Sequence, residues 1–123
     1  MARKILLMTD QQLLIDVLER KLKGEGYEVW VAKDGVEGLE KMKEMKPDLV
    51  LLDLILPRME GFEVMEEMAK DEGLKKIPVI VMSTFGQPVE LDRAKRLGAK
   101  DWVIKAKFDP QEVVDKVAKQ IGR

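Results

Sequence analysis

The sequence predicts an open α/β fold, with five parallel strands alternating with five helices that cover both faces of one sheet. Three observations predict it. Apolar residues fall first in short runs and then at three- and four-residue spacing, and this exchange of period repeats five times. Two of the short runs, Leu49 to Asp53 and Pro78 to Ser83, are apolar on every side, as strands covered by helices on both faces must be. Glycine, proline and aspartate stand at the joins between the two periods.

Lys4 to Thr9 is the first strand. Leu13, Leu14, Val17, Leu18 and Leu22 then share one helical face, and Gly24 and Gly26 stop that helix. Tyr27 to Ala32, rich in β-branched and aromatic residues, is the second strand. Asp34 caps a second helix with Val36, Leu39, Met42 and Met45 inward, and Pro47 ends it. Leu49 to Asp53 is the central strand. Pro57 and Gly61 bracket a loop, after which Phe62, Met65, Met68 and Ala69 form the inner face of the third helix. Pro78 to Ser83 is the fourth strand. The fourth helix runs from about Val89 to Leu97 and is closed by Gly98. Asp101 to Ile104 is the fifth strand. Asp109 as N-cap, with Pro110 at the first helical position, starts the last helix, which buries Val113, Val114, Val117, Ala118 and Ile121. Right-handed crossovers leave few layouts for such a chain, and its length of 123 residues suits the flavodoxin-like (βα)5 strand order 2-1-3-4-5. No linker or shift in composition divides residues 1–123, so a single domain is expected.

Composition narrows the function. Apolar residues make up 46%, enough for a real core, while charged residues reach 37% and nearly cancel to a net charge of -1. A domain dedicated to nucleic acid would show a basic excess, so no direct nucleic-acid binding is expected. The apolar runs are far shorter than the ~20 residues that span a membrane. No cleavable leader is visible, so a cytoplasmic location is expected. The absence of cysteine and histidine excludes disulfides, thiolate chemistry, Ser-His-Asp hydrolysis and the common zinc sites. What remains for a metal is oxygen, which suits magnesium or calcium. Gly24-Glu25-Gly26 is not a dinucleotide fingerprint, because Val29 stands where the third glycine belongs and the pair ends a helix. No Walker A sequence occurs, and Asp53-Leu54-Ile55 is not the DxD of haloacid-dehalogenase-like phosphatases. The methionines are packing residues.

In an open parallel sheet, ligands bind beyond the carboxyl ends of the strands, where strand order reverses. Position alone brings Asp10, Asp53, Ser83 and Lys105 to that rim. Two close carboxylates call for a cation between them, and magnesium is commonly held by carboxylate and phosphate oxygens. A carboxylate is also a nucleophile toward phosphorus, and a metal, a lysine and a hydroxyl neutralise the charge on the transferred group. Asp53, at the end of the buried central strand, is the better nucleophile. Plainer roles stand beside these: Asp10 as an N-cap, Asp53 as a turn residue, Ser83 satisfying loop amides, and Lys105 as a surface lysine.

Together these residues resemble a response-regulator receiver domain of two-component signalling, similar to the chemotaxis response regulator over essentially the whole chain. The resemblance is carried by Asp53-Leu-Ile-Leu-Pro57-Arg-Met-Glu-Gly61, by the spacings from Asp53 to Ser83 and from Ser83 to Lys105, and by Gly98-Ala-Lys-Asp-Trp102. It implies a phosphoprotein, not an enzyme beyond its own phosphorylation and dephosphorylation. Asp53 would accept a phosphoryl group from a histidine kinase and form an aspartyl phosphate. Asp10, Asp53 and the backbone carbonyl of Ile55 would hold Mg2+. Ser83 would move toward the phosphoryl group, Lys105 would pair with its charge, and Trp102 would change rotamer. The face formed by helix 4, strand 5 and helix 5 would then change for a downstream target or output domain. Asp92, Arg93, Arg96, Lys100 and Asp101 offer that face charges for a weak homodimer.

Four residues depart from the family pattern. Thr9 replaces the first of two adjacent acids, which implies weaker magnesium binding. Trp102 replaces the usual Tyr or Phe. Ala106 replaces a proline that follows a cis bond, so either the Lys105–Ala106 bond is trans or the site stores strain. Thr84 stands where a smaller residue is frequent and narrows access to Asp53. Thr9, Trp102 and Ala106 motivate an alternative, an atypical receiver acting as a phosphate-independent interaction module. An idealised scaffold without function has no reason to keep Asp53, Ser83 and Lys105 together. The chain ends at Arg123, directly after the fifth helix, so no output domain is expected within it, and both a stand-alone regulator and a receiver cut from a longer protein fit.

Overall fold

The computed structural model describes residues 2–123. Its elements are β1 (Lys4–Met8), α1 (Gln12–Gly24), β2 (Glu28–Ala32), α2 (Gly35–Met45), β3 (Leu49–Asp53), α3 (Gly61–Ala69), β4 (Val79–Ser83), α4 (Pro88–Arg96), β5 (Asp101–Ile104) and α5 (Pro110–Ile121), with one 3-10 turn at Lys105–Lys107. All four strand pairings are parallel, and the order is β2-β1-β3-β4-β5. This is the flavodoxin-like order expected from the sequence. The order reverses at β1, so the crossovers diverge there and open a crevice between β1 and β3.

Side chains of a strand alternate between faces, and the core follows that alternation. Leu6, Met8, Val50, Leu52 and Val81 pack against Met42, Val64, Met65, Met68 and Ala94 of α2, α3 and α4. Ile5, Leu7, Leu49, Leu51, Ile80, Met82 and Val103 pack against Ile15, Leu18, Leu22, Val113, Val114 and Val117 of α1 and α5. Every residue of β3 and β4 is buried. Each large side chain withdrawn from water in this way contributes about 1.5–3 kcal/mol, so the two central strands anchor the molecule and fix their own C-terminal ends.

The capping signals act as read. Asp34 Oδ1 accepts the Glu37 N–H at 2.8 Å, and Asp109 Oδ1 accepts the Gln111 N–H at 2.9 Å, with Pro110 opening α5. Gly98 closes α4 at φ 105, a conformation open to glycine. Two inward assignments fail. Leu13, in the first turn of α1, is 76% exposed, and Leu14 and Ile15 take the inner positions there. Ala69, the last residue of α3, is exposed, and Val64 takes the inner position instead. Asp10 is not the α1 cap. That position falls to Gln11, whose side chain makes no capping bond, while Thr9 Oγ1 accepts the Gln11 N–H at 3.2 Å.

Candidate functional site

β3 delivers Asp53 to the rim with no exposed surface, and three donors meet its carboxylate. Lys105 Nζ donates to Oδ1 at 2.7 Å, and the Ile55 N–H donates to the same oxygen at 3.0 Å. Thr9 Oγ1, fully buried, donates to Oδ2 at 2.8 Å. The Asp53–Lys105 pair is a desolvated ion pair, with side-chain exposures of 0% and 8%. Such a pair needs further hydrogen bonds to offset its desolvation, and the Thr9 hydroxyl and the Ile55 N–H supply two here.

Local sequence explains each position. Thr9 lies one residue beyond β1, where its N–H donates to the Ala32 carbonyl. Lys105 opens the 3-10 turn that follows β5, where the Ala106 N–H donates to the Thr84 carbonyl at 3.0 Å. Among the described residues no peptide bond is cis, so Lys105 reaches Asp53 across a trans bond to Ala106. The β3–α3 loop is held from two sides. The Gly61 N–H donates to the Leu54 carbonyl at 3.0 Å, and a Cβ at Gly61 would lie 2.7 Å from Leu54 Cα. Arg58 pairs with Asp34 at 3.2 Å, and the Gly35 N–H donates to the Pro57 carbonyl. The Glu37 N–H, helped by the Arg58 charge, holds the Asp34 carboxyl below its ordinary range.

The sequence placed four side chains at this rim. The structure joins Asp53 to Lys105 and adds Thr9 to them. Asp10 is exposed after β1 and makes none of the bonds that hold Asp53. Ser83, nearly fully buried at the end of β4, turns to Glu90: its Oγ donates to Glu90 Oε1 at 2.7 Å and accepts the Gly86 N–H at 3.0 Å. The loop-amide role read for Ser83 is therefore present. Glu90 was missed, because an acid in the first turn of a helix ordinarily reads as a partner of the helix dipole. Trp102 is half-buried against the α2–α3–α4 side of the core. Its carbonyl accepts from Lys116 Nζ, which also pairs with Asp101 at 3.3 Å.

No group of three acidic side chains that could hold a metal occurs among the described residues. Asp10, Asp53 and the Ile55 carbonyl would offer a metal oxygen donors only. That set fits magnesium, which binds through one or two carboxylates and keeps several waters. The Ile55 N–H bond to Asp53 keeps the Ile55 backbone beside the carboxylate.

The response regulator receiver domain family matches residues 5–118. Among solved structures, a candidate response regulator from Chloroflexus aurantiacus J-10-fl is 28% identical with a TM-score of 0.92, each chain covered in full. The chemotaxis protein CheY4 of Vibrio cholerae is 26% identical with a TM-score of 0.91, over 98% of this chain and 100% of that one. The receiver domain of the sensor histidine kinase PA1611 from Pseudomonas aeruginosa is 24% identical with a TM-score of 0.89, each chain again covered in full. That domain holds a magnesium ion in its active site cleft.

Proposed function

The chain belongs to the response regulator receiver domain family, and on that footing we propose that it is a signalling switch whose phosphoacceptor is Asp53. The observation that carries this reading is the buried Asp53–Lys105 pair at the end of the central strand, at the point where strand order reverses. Asp53 attacks the phosphorus of a phosphohistidine on a kinase. An O–P bond forms, the P–N bond breaks, and the imidazole nitrogen leaves with the electron pair. Lys105 already donates to Oδ1 and stays close enough to neutralise the added charge. Asp10, Asp53 and the Ile55 carbonyl would hold Mg2+, which when bound neutralises charge on the phosphoryl oxygens. Thr9 donates a proton where the family has a second acid, so magnesium affinity is lower and the resting carboxylate is held closed.

Ser83 then serves the phosphoryl group, and the α4–β5–α5 face changes for a protein target or output domain, with Trp102 responding at β5. The test is the intact mass after incubation with acetyl phosphate and magnesium. One phosphoryl group should add to the parent protein and none to Asp53→Asn. The engagement of both Asp53 oxygens by Thr9, Ile55 and Lys105 favours a second reading, a phosphate-independent interaction module. That reading expects no mass gain in the folded parent protein.

A further inference from the structure

We propose that Glu90 is a positioning residue that holds the Ser83 hydroxyl away from Asp53 in the resting protein and ties the first turn of α4 to the phosphorylation site. The inference rests on Asp53 being the phosphoacceptor. Ser83 Oγ carries one proton, and that proton is committed to Glu90 Oε1 at 2.7 Å. Its lone pairs face the loop, where Gly86 N–H donates to it at 3.0 Å. A hydroxyl with one proton cannot serve Glu90 and a phosphoryl oxygen on Asp53 together. The Glu90 carboxylate and the phosphoryl group therefore compete for the Ser83 hydroxyl: it donates to Glu90 at rest and to the aspartyl phosphate in the modified state.

The consequence lies in α4, which is lightly attached. Ala94 is its one buried residue among those described. The other named ties are Arg93, 4.2 Å above the centre of the Phe62 ring of α3, and the Ser83–Glu90 bond. The Gln87 side chain gives the helix no capping bond. The bond from Ser83 is charge-assisted and joins a rigid strand end to the first turn of the helix. Its loss frees that turn, beside which Phe85 and Val89 are 71% and 79% exposed. Glu90 thus supplies a physical link from the Asp53 site to the α4 surface, a two-state element that both sites bias.

The test compares the parent protein, Glu90→Ala, Glu90→Gln, Ser83→Ala and the double variant Ser83→Ala with Glu90→Ala. Each is incubated with acetyl phosphate and magnesium, and the ratio of phosphorylated to unphosphorylated protein is read by intact mass. Amide hydrogen exchange over residues 87–91 is measured before phosphorylation. Removing the competing acceptor should raise the phosphorylated ratio roughly tenfold in Glu90→Ala, the weight of one charge-assisted hydrogen bond in a two-state balance. Glu90→Gln, which keeps a weaker acceptor, should fall between. Exchange over 87–91 should quicken in Glu90→Ala. In the Ser83→Ala background Glu90→Ala should change neither quantity. An equal Glu90→Ala effect in both backgrounds overturns the proposal and leaves a plain helix-end acid. An unchanged ratio and unchanged exchange overturn it as well. A folded parent protein that gains no phosphoryl group overturns the phosphoacceptor reading, and the proposal falls with it.

Discussion

Lys105→Met tests the electrostatics of the site in its most exposed form. The substitution keeps the length of the side chain and removes its charge. Asp53 then retains two neutral donors, Thr9 and the Ile55 N–H, around a carboxylate with no exposed surface. Breaking a buried pair by removing one partner costs about 3–5 kcal/mol, because a charge is left without compensation. The lower end applies here, since the lost ammonium opens a path for water from the rim. With a urea m-value of about 2 kcal/mol/M, a loss of about 3 kcal/mol lowers the unfolding midpoint by about 1.5 M. The measurement is urea unfolding in metal-free buffer, repeated in the Asp53→Asn background. With no charge left to strand, Lys105→Met should then cost less than about 1 kcal/mol. Equal losses in the two backgrounds would refute the reasoning, and would place the stability of Lys105 in its packing and not in its pairing with Asp53.

Three further outcomes follow from the geometry. Thr9→Asp replaces a proton donor to Asp53 with a like charge, so in metal-free buffer it should lower stability by about 2 kcal/mol, and it should tighten magnesium by at least about tenfold; calorimetric titration with magnesium decides, and unchanged affinity contradicts the account. The Asp34 carboxyl is lowered in the folded state, so its contribution is present above its ordinary value of 3.8 and is lost as pH falls through the lowered value; urea midpoints between pH 5 and pH 2 should fall less steeply in Asp34→Asn than in the parent protein. Gly35→Ala places a Cβ 2.1 Å from the Met59 carbonyl oxygen, which is backbone and yields little, whereas Gly38→Ala meets the flexible end of Met8; thermal unfolding should show Gly35→Ala the more destabilising, with overpacking costs of about 1–3 kcal/mol.

The central strands were legible because burial on both faces leaves one kind of sequence, and Leu49 to Asp53 could be little else. The helices were legible in their middles and less so at their ends. Leu13 and Ala69 fit the apolar spacing but stand exposed at the ends of their helices, and spacing carries no information on where the facing layer stops. The 3-10 turn at Lys105–Lys107 is shorter than one helical period and left no pattern to read.

At the site, position at a strand end brought Asp53 and Lys105 to one rim, and the direct ion pair between them is added by the fold. Thr9 was read as a missing acid. What it adds, a hydroxyl aimed at Asp53 Oδ2, depends on a rotamer and a buried approach that no spacing encodes. Glu90 lies seven residues from Ser83 across a loop. Nothing periodic joins them, so only folded coordinates could pair them. The expectation of a strained or trans link after Lys105 resolves to trans, and the Lys105 side chain reaches Asp53 from the 3-10 turn.

The central claim is that Asp53, and no hydroxyl near it, carries the phosphoryl group. The direct measurement locates the modification by peptide mass spectrometry after treatment with acetyl phosphate and magnesium, with a chelator control. The account predicts one base-labile phosphoryl group on the peptide containing Asp53, absent with chelator and absent in Asp53→Asn. A phosphoryl group on Thr9, Ser83 or Thr84, or a folded protein that takes up none, would contradict it.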